Sequence, residues 1–452
     1  MKIKQIVVLT GQTEVASSIL PGWEQLGLQI CIRDHFSLDD DGQESLIVCD
    51  PCYVETPPGS VLIRQALGNG CTILLDGRHC SAVLEEIRET GGLSPETRDN
   101  LEAYALYRCL QSDAQRLAEL QSGMDGLPQY VATTYEKKQD LRYGENWHQK
   151  AALYRKQNDL GLPVARKLNG REMSYNNMVD AETVLEMLID LSEYDGLPFD
   201  KPLSVIVKHA NPCGVAYGSS LADAYRLSFA TDPKSAFGGV IGFNRKVDVD
   251  TAQAIGEGFV EVLLAPGFEP EALKLLTEKK PNRRILDIGD LLQRKNELYK
   301  GYYQKNIFGG MMLQDYDTGD IQEWKVATKR PPRDTETRAL RFAWKVAKYI
   351  KSNALVYTTE NQTIGIGSGQ VSRVDSARFG AEKAEEHGLS TLGTVAATDS
   401  FFPFRDGLDQ TFQAGATAVI HPGGSIRDAE VIDAANEHDM AMVFTGMRHF
   451  RH

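Results

Sequence analysis

A lysine and a histidine stand side by side, Lys208 and His209, at the end of the apolar run in "VIVKHANPCGVAYG". Imidazole is the usual general base near neutral pH. An ammonium group beside it disfavours the imidazolium form and can also stabilise an oxyanion that forms nearby. The pair therefore predicts a general base with an oxyanion partner. A strand-end histidine bonded to a backbone carbonyl, with the lysine in water, is the alternative interpretation.

Two cysteine-containing segments raise the question of zinc. Zinc deaminases use P-C-x-x-C with H-x-E upstream, but "PCGVA" lacks the second cysteine and no H-x-E precedes it. We therefore exclude deaminase chemistry. Cys49 and Cys52 in "CDPC" have the spacing of half a zinc site, which His35 and His79 could complete. No second matching pair exists, so we predict that no metal is bound.

Glycine-rich segments could bring backbone N–H groups close to a ligand. Gly238 in "SAFGGV" would allow close approach to a planar group, although a tight turn explains it equally well. "HPGGSIRD" places Ser425 and Ile426 at a predicted helix start, where N–H groups can hold an anion or simply form a cap. "GIGSGQVSR" sets a G-x-G-x-G before Arg373 but lacks the strand–loop–helix context of a dinucleotide site.

Three further segments combine cations with aromatic rings. Arg142 and Tyr143 lie in "DLRYGENWHQK", and an arginine fork suits a phosphate. "TDSFFPFRDG" sets Phe401 beside other phenylalanines and Asp406, an arrangement that could grip a heteroaromatic ring or belong to the core. "GMRHFRH", which contains Arg448, would be functional only if it docks on the rest of the chain.

The elements that must position these residues indicate an α/β protein. Apolar runs such as "KQIVVLT", "LQICIRD", "ESLIVCD" and "CTILLDG" alternate with helical stretches, which favours a mainly parallel sheet. Ser94 and Pro95 are typical of a helix start. "QSGMDGLPQY" at 121–130 resembles a linker, so we predict domains at 1–125 and 126–452. In the second region, 201–245 and 391–445 share a strand–loop–helix–strand rhythm that suggests a duplication.

Composition bounds the function class. The chain has 452 residues, 42% of them apolar, and a formal net charge of −13. That charge argues against nucleic acid as a partner. We see no apolar run of membrane-spanning length and no signal peptide, and seven cysteines are an unsuitable count for a disulfide framework. We expect a cytoplasmic enzyme with a small anionic ligand.

The same segments, taken together, resemble one family from about residue 135 to His452: the AICAR transformylase region of the bifunctional AICAR transformylase/IMP cyclohydrolase proteins. Proline is common in the family where this chain has Trp147. The resemblance rests on "LRYGENWHQ", "SYNNMVDAE", "VKHANPCGVA", "SAFGGVI", "EVLLAPGFEPEAL", "KSNALVY", "GIGSGQVSR", "TDSFFPFRDG", "HPGGSIRD" and "RHFRH".

The resemblance implies formyl transfer from 10-formyltetrahydrofolate, as co-substrate, to the 5-amino group of AICAR in purine biosynthesis, without a metal. By similarity His209 is the base and Lys208 stabilises the transition state. Positions similar to the family's nucleotide contacts are Arg142, Tyr143, Gly238, Glu261, Asn353, Phe401 and Arg448, and those similar to its folate contacts are Arg373, Asp406, Ser425 and Ile426.

The resemblance also implies an architecture. Family members carry the transformylase region as two cytidine-deaminase-like α/β/α subdomains, preceded by a methylglyoxal-synthase-like, Rossmann-like domain. They are homodimers with active sites at the subunit interface. The expected partners are therefore AICAR, folate and a second copy of the chain.

The N-terminal domain departs from the family pattern in its first half. The S-T-G-G-T phosphate loop and the K-T-L-H-P segment are absent, and by alignment through Arg64 the family's catalytic lysine falls on Gly68 and its aspartate on Thr56. We expect weak or lost cyclohydrolase activity. A fully bifunctional enzyme with a rearranged site and an inactive nucleotide-binding scaffold are the alternatives.

Overall fold

The chain forms two compact units, Met1–Tyr135 and Glu136–His452. They are seen in a computed structural model, which confirms the α/β class. The residues it describes are 3–9, 23, 26, 29–33, 45–49, 55, 57–75, 77–156, 160–194, 197–198 and 201–452. The sequence predicts a helix at "EVASSILPGWEQLG", between the runs "KQIVVLT" and "LQICIRD", but this segment lies almost entirely outside the described residues. The predicted domain boundary at 125 stays a prediction.

The first unit contains a parallel sheet of four strands in the order β2-β1-β3-β4. The expected helix start at Ser94 is confirmed, because its side chain accepts the N–H of Thr97 and the helix begins at Pro95. The described elements are β1 (Gln5–Leu9), β2 (Gln29–Arg33), β3 (Ser45–Cys49), α1 (Pro57–Gly68), β4 (Thr72–Leu74), α2 (Gly77–Thr90) and α3 (Pro95–Leu120).

The second unit opens with a two-stranded hairpin and continues into a first α/β half, which we call repeat 1. The hairpin strands are β5 (Glu136–Leu141) and β6 (Ala151–Arg155). Repeat 1 contains β7 (Arg166–Asn169), α4 (Tyr175–Leu191), β8 (Glu193–Tyr194), β9 (Leu197–Pro198), β10 (Leu203–Lys208), β11 (Asn211–Tyr217), α5 (Leu221–Thr231), α6 (Pro233–Ala236), β12 (Val240–Phe243), α7 (Val249–Ile255), β13 (Val262–Ala265), α8 (Pro270–Glu278) and β14 (Arg284–Asp287).

A connection between Asp287 and Lys325 leads to the second half, which we call repeat 2. The connection holds α9 (Lys295–Leu298) and the hairpin β15 (Tyr302–Ile307) and β16 (Gly310–Asp315). Repeat 2 contains β17 (Lys325–Val326), α10 (Asp334–Ala347), β18 (Leu355–Thr358), β19 (Thr363–Gly367), α11 (Arg373–Glu386), β20 (Val395–Thr398), α12 (Arg405–Gln413), β21 (Ala418–His421), α13 (Asp428–Glu437) and β22 (Ala441–Phe444).

The two repeats share one topology. Repeat 1 forms a six-stranded sheet in the order β11-β10-β12-β13-β14-β7, and repeat 2 forms one in the order β19-β18-β20-β21-β22-β17. In both, the pairings along the sheet run antiparallel, antiparallel, parallel, parallel, antiparallel. A duplication therefore exists, but our pairing of 201–245 with 391–445 is wrong, since 201–245 corresponds to the segment from β18 to β20.

One hydrophobic core joins the repeats. It combines the inner faces of both sheets with α4 and α10, including Leu188, Val205, Trp344 and Val356. Separate clusters on the outer faces lie beneath the remaining helices of each repeat. Because the central strands are covered on both faces, their sequences are nearly continuous apolar runs.

The sheets also meet edge to edge. The Tyr217 N–H donates to the Asn361 carbonyl at 2.8 Å, and Ala216 bridges Gln362 in antiparallel fashion. Glycines let a helix pack closely on each edge strand: a Cβ at Gly214 would lie 1.9 Å from the Ser228 carbonyl, and one at Gly367 would lie 1.9 Å from that of Ser376. Such packing accounts for Gly365 and Gly367 of "GIGSG" without a dinucleotide, and Gly369 adopts a positive φ of 66°.

Candidate active site

The predicted site residues of repeat 1 collect at one edge of its sheet. Val207 pairs with Val240 in antiparallel β10 and β12, so the end of β10 lies beside the start of β12. The parallel strands β12, β13 and β14 all begin at this edge. The structure brings six residues to it: Arg142, Tyr143, Lys208, His209, Gly238 and Glu261.

The predicted residues of repeat 2 collect at the carboxyl edge of its sheet, where parallel strands end, whereas those of repeat 1 lie at an amino edge, where parallel strands begin. Leu355 pairs with both Thr398 and Gly367, so the start of β18 lies beside the ends of β20 and β19. The parallel strands β20, β21 and β22 also end there, where α/β sheets commonly bind ligands. Seven predicted residues follow or precede these strand ends: Asn353, Arg373, Phe401, Asp406, Ser425, Ile426 and Arg448.

The two edges touch at the Lys208–His209 segment. The Lys351 N–H, two residues before Asn353, donates to Asn211 Oδ1 at 3.0 Å. Asn211 in turn begins β11 directly after the turn that contains His209. The amino edge of the repeat 1 sheet and the carboxyl edge of the repeat 2 sheet thus form one junction, which holds the base candidate and the Asn353 segment.

His209 lies in a tight two-residue turn. Lys208 pairs with Asn211 across it, while His209 and Ala210 adopt φ values of 55° and 56°. His209 is exposed and Lys208 is half-buried. From the proline and glycine in "NPCG" we predict that this segment turns the chain; that prediction is wrong, since Asn211–Tyr217 is strand β11 and the turn precedes it. Burial raises the pKa of the Cys213 thiol to about 12, which makes it an inert core group.

Lys208 connects the turn to the glycine loop before β12. Its Nζ donates to the Phe237 carbonyl at 2.8 Å, which leaves two ammonium hydrogens for other acceptors. Gly238 adopts φ 74° and its N–H donates to the Phe259 carbonyl at 2.8 Å. The rings of Phe237 and Phe259 pack 5.1 Å apart at this rim. A planar ligand could contact this exposed aromatic pair.

Basic side chains line a cavity of about 370 Å³ beside this loop. Arg142 and Glu261 both line it, and Arg284 forms an ion pair with Glu261. The cations outnumber the single carboxylate, so the cavity suits an anion such as a phosphate. Its lining residues are Arg142, Arg171, Gly258, Phe259, Val260, Glu261, Lys279, Lys280, Pro281, Asn282, Arg283 and Arg284.

Backbone bonds position the Arg142 segment at the cavity. The Arg142 N–H donates to the Met173 carbonyl at 3.1 Å, and the Tyr143 carbonyl accepts the Tyr175 N–H at 3.3 Å. The Arg142 guanidinium lies 5.3 Å from the centre of the Tyr143 ring, within cation–π range. Both side chains therefore belong to a segment fixed against the start of α4.

Arg373 organises the Asn353 segment from below the surface. It is buried, forms an ion pair with buried Asp399 at 2.6 Å and donates to Asn353 Oδ1 at 3.0 Å and to Thr398 Oγ1. Asn353 Nδ2 donates to the Gln370 and Val371 carbonyls. These bonds fix the Asn353 amide, whereas the Arg373 guanidinium itself lies largely out of contact with solvent.

The segment 446–452 docks on the junction. Arg451 Nη2 donates to Glu186 Oε2 at 2.6 Å on α4, and its backbone exchanges hydrogen bonds with Ser352. His449 is buried, and its Nδ1 lies 2.7 Å from Asp317 Oδ2. Arg448 is exposed, with its guanidinium 4.3 Å from the Phe450 ring centre. The terminal cations of "RHFRH" therefore belong to a docked segment.

The loops after β20 and β21 hold the remaining predicted residues. Phe402 is fully buried, Phe401 is half-buried, and Asp406 bonds the Gly407 N–H in the first turn of α12. Ser425 Oγ accepts the Arg427 N–H at 3.1 Å, while Ile426 is fully exposed. Side chains already occupy several N–H groups of the expected anion cradle, since Gly424 donates to Asp428 Oδ2 and Gly423 to His421 Nδ1.

The candidate zinc site and the aligned cyclohydrolase positions lie partly outside the described residues. In the first unit, Cys49 is buried and uncrosslinked, whereas Cys52, His35 and Thr56 lie outside the described residues. Gly68 ends α1, and a Cβ there would meet no atom within 4 Å. Across the described ranges, no group of three or more His, Cys, Asp or Glu side chains is placed to hold a metal ion.

Two functional candidates escaped our sequence predictions. Asp180 on α4 accepts the Ala210 N–H at 2.7 Å, and Asn211 links the repeats. Burial raises the pKa of Asp180, and the N–H groups of Ala210 and His209 and the charges of His209 and Lys208 oppose that rise. Both residues stand inside motifs that we noted, "SYNNMVDAE" and "VKHANPCGVA", but only the fold shows what they contact.

The fold defines an α/β protein of the enzyme type, whose candidate site lies between duplicated sheets. The family model described as "AICARFT/IMPCHase bienzyme" matches residues 69–383. A bifunctional purine biosynthesis protein PurH from Persephonella marina is 46% identical over 402 residues, covering 87% of this chain and 76% of the relative. The protein of the same name from Acidithiobacillus ferrooxidans is 44% identical over 404 residues, covering 87% of this chain and 75% of that relative.

The chain belongs to the AICARFT/IMPCHase bienzyme family, and the resemblance inferred from its motifs is confirmed. It is thus a member of a family of purine-biosynthesis enzymes that pair a formyltransferase with a cyclohydrolase. Among the described residues, no helix is both long enough and apolar enough to cross a membrane.

Proposed function

We propose that the chain transfers a formyl group from 10-formyltetrahydrofolate to the 5-amino group of AICAR, giving FAICAR and tetrahydrofolate. The observation that carries the proposal is the junction where the His209 turn of repeat 1 meets the Asn353 segment of repeat 2. It joins an exposed imidazole and an adjacent ammonium to a basic cavity suited to a nucleotide phosphate.

The residues present fit the chemistry. The amine of AICAR is a poor nucleophile because its lone pair is delocalised into the ring, so attack needs a base. His209 takes a proton from the amine as its nitrogen attacks the formyl carbon. Lys208 stabilises the oxyanion of the tetrahedral intermediate. The bond between the formyl carbon and folate N10 then breaks, and the proton passes to N10.

The substrates divide between the two sheet edges. We assign the phosphate of AICAR to the basic cavity, since Arg142 lines it and Glu261 is neutralised by Arg284. Tyr143, Gly238, Asn353, Phe401 and Arg448 complete the nucleotide site. Arg373, Asp406, Ser425 and Ile426 form the folate site. Arg373 acts there by holding Asn353 and Asp399, because its own guanidinium is buried.

The test is an assay of tetrahydrofolate release from 10-formyltetrahydrofolate with AICAR. We expect turnover by the wild type and a loss of about a hundredfold or more in kcat for His209→Ala, since general base catalysis contributes on this scale. Lys234→Ala is a matched control, because that exposed lysine pairs with Glu386 on the surface. An inactive wild type would favour the scaffold alternative, and an unimpaired His209→Ala would overturn the base assignment.

We further propose that cyclohydrolase activity is weak or lost and that the first unit, of methylglyoxal-synthase-like fold, serves dimerisation or folding. Gly68 at the aligned lysine position and the absent phosphate loop support this. The family-model match begins at residue 69 and ends at residue 383. Residues 1–68 therefore lie outside it, and so do residues 384–452.

A fully bifunctional enzyme that also forms IMP is the second candidate, and the names of both relatives favour it. Purified chain given FAICAR separates the two. Failure to form IMP supports loss, whereas IMP at an enzymatic rate would establish the bifunctional alternative. A bifunctional relative, purified in the same way and assayed for IMP formation, serves as the positive control.

Two structural proposals accompany the activity. If strands are numbered from β10 in repeat 1 and from β18 in repeat 2, five strands of each sheet have the order 2-1-3-4-5. This shared order supports cytidine-deaminase-like α/β/α subdomains. We also propose a homodimer with the active sites at the subunit interface. Sedimentation equilibrium would test this, and a monomer at micromolar concentration that remains fully active would contradict it.

A further inference from the structure

The His209 turn has an unusual backbone. Among the described residues, the non-glycine positions with positive φ are His209, Ala210 and Asp439. Two-residue hairpin turns with positive φ at both positions favour Asn and Gly, because a Cβ is crowded in the left-handed conformation. His209 and Ala210 both carry a Cβ. The surrounding structure must therefore hold this turn in place.

A carboxylate on a rigid helix holds it. Asp180 Oδ1 accepts the Ala210 N–H at 2.7 Å and also faces the His209 N–H. Helix α4 is fixed at its start by reciprocal bonds between Ser174 and Asn177, and its inner face belongs to the shared core. The Asp180 carboxylate is therefore carried by a helix whose start and inner face are both held in place.

The far side of the turn is held more loosely. Asn211 Oδ1 accepts the Lys351 N–H at 3.0 Å, while its Nδ2 approaches the His209 carbonyl only to 3.5 Å. Lys208 Nζ is held by the Phe237 carbonyl. Among the described contacts, the N–H groups of the turn are therefore held by the Asp180 carboxylate.

We propose that Asp180 is a positioning residue for His209: its carboxylate holds the left-handed His209–Ala210 turn and so fixes where the imidazole is presented at the junction. This inference rests on the proposed formyl transfer. Asp180 does not touch substrate in this role. It acts on the backbone, so a residue that relaxes the backbone requirement should replace it.

The experiment compares Asp180→Ala, Asp180→Asn and the double variant Asp180→Ala/Ala210→Gly. We expect Asp180→Ala to lose at least about tenfold in kcat with KM for AICAR changed less than about threefold, since small misplacements of a catalytic group are costly. Asp180→Asn retains an acceptor oxygen and should keep most activity. Glycine at 210 adopts positive φ freely, so the double variant should recover most of the loss.

Asp248→Ala is the matched control, because Asp248 accepts the Thr251 N–H at 2.8 Å at the start of α7, in the same kind of bond away from the turn. It should leave kcat unchanged. Full activity in Asp180→Ala, or no recovery in the double variant, would overturn the proposal. A loss in Asp180→Asn equal to that in Asp180→Ala would also overturn it, since charge rather than the bond would then matter.

Hydrogen exchange at the Ala210 amide gives a readout that needs no activity. It should be slow in the wild type and in Asp180→Asn and fast in Asp180→Ala, in protein whose melting temperature shows that it is folded. If the wild type proved inactive but the amide were protected, the formyl-transfer proposal alone would fail. Equally fast exchange in wild type and Asp180→Ala would refute the positioning role itself.

Discussion

His421 at the end of β21 is a fully buried imidazole between two aromatic rings. The rings of Phe402 and Phe444 lie 5.3 and 4.8 Å from it, both edge-on. Its Nδ1 accepts the Gly423 N–H, whereas its buried Nε2 has no hydrogen-bond partner within the described part of the chain. Burial, aided by the charge of Arg373, lowers the pKa of His421 from 6.5 to about 3. The folded protein therefore needs this ring neutral.

That requirement predicts acid sensitivity. Unfolded chain binds a proton at His421 below about pH 6.5, so stability present above that pH is lost as the pH falls toward 3. We expect His421→Asn, which keeps an acceptor for the Gly423 N–H, to be about 2 kcal/mol less sensitive to a change from pH 7.5 to 5. Urea midpoints of the full chain at both pH values measure it. An identical pH dependence in both proteins would contradict the assignment.

Residue types drew attention to the Lys208–His209 pair, but they did not reveal the geometry of its turn. Lys208 and His209 stood out because base and ammonium are adjacent, yet "HA" carries none of the Gly or Asn that mark a two-residue turn. The turn is imposed by Asp180, which is distant in sequence, so local patterns could not reveal it. The buried state of Arg373 was equally invisible, because only the fold places Asp399 beside it.

At the scale of elements, strands with long apolar runs were predictable and their register within the duplication was not. The apolar pattern of "PLSVIVKHA" predicts a buried strand and that of "NALVYTTENQTIGIG" a pair of strands, and the structure confirms them as β10 and as β18–β19. The same strand–helix alternation recurs throughout both repeats, so rhythm alone cannot tell which strand matches which. The tertiary pairings settle it, because each sheet carries one antiparallel hairpin at its edge, β10–β11 in repeat 1 and β18–β19 in repeat 2.

The docked segment 446–452 connects two elements that hold the site. Arg451 bonds Glu186 and Thr183 on α4, while its backbone bonds Ser352 beside Asn353. We expect Arg451→Ala to lower activity by about tenfold and stability by about 1 to 3 kcal/mol, because Glu186 loses its charged partner. Steady-state kinetics and thermal melting would measure both effects.

Arg378→Ala is the control for Arg451. Arg378 is an exposed arginine on α11 that pairs with Asp375 on the helix surface, and such pairs contribute little. If Arg451→Ala behaved like Arg378→Ala in both measurements, the docked segment would have no part in supporting the junction.

In the second unit as a whole, neither repeat alone completes the shared core or the proposed site. Helices α4 and α10 share one apolar cluster with both sheets, and the junction takes the amino edge of one sheet and the carboxyl edge of the other. The linker-like segment 121–130 indicated more than one domain, but the sequence could not show that the two α/β halves of the second region would be interdependent.

The hairpin between the repeats therefore marks where the chain can be divided. Its tip is Phe308, fully exposed, and Gly309, and every strand of each six-stranded sheet lies on one side of it. We expect two fragments split between these residues to complement each other when co-expressed, restoring formyl transfer, and each to be insoluble when expressed alone. Fragments that each stayed soluble and folded separately would contradict the shared core. The duplicated sheet would then provide a split-protein pair whose reassembly is reported by catalysis.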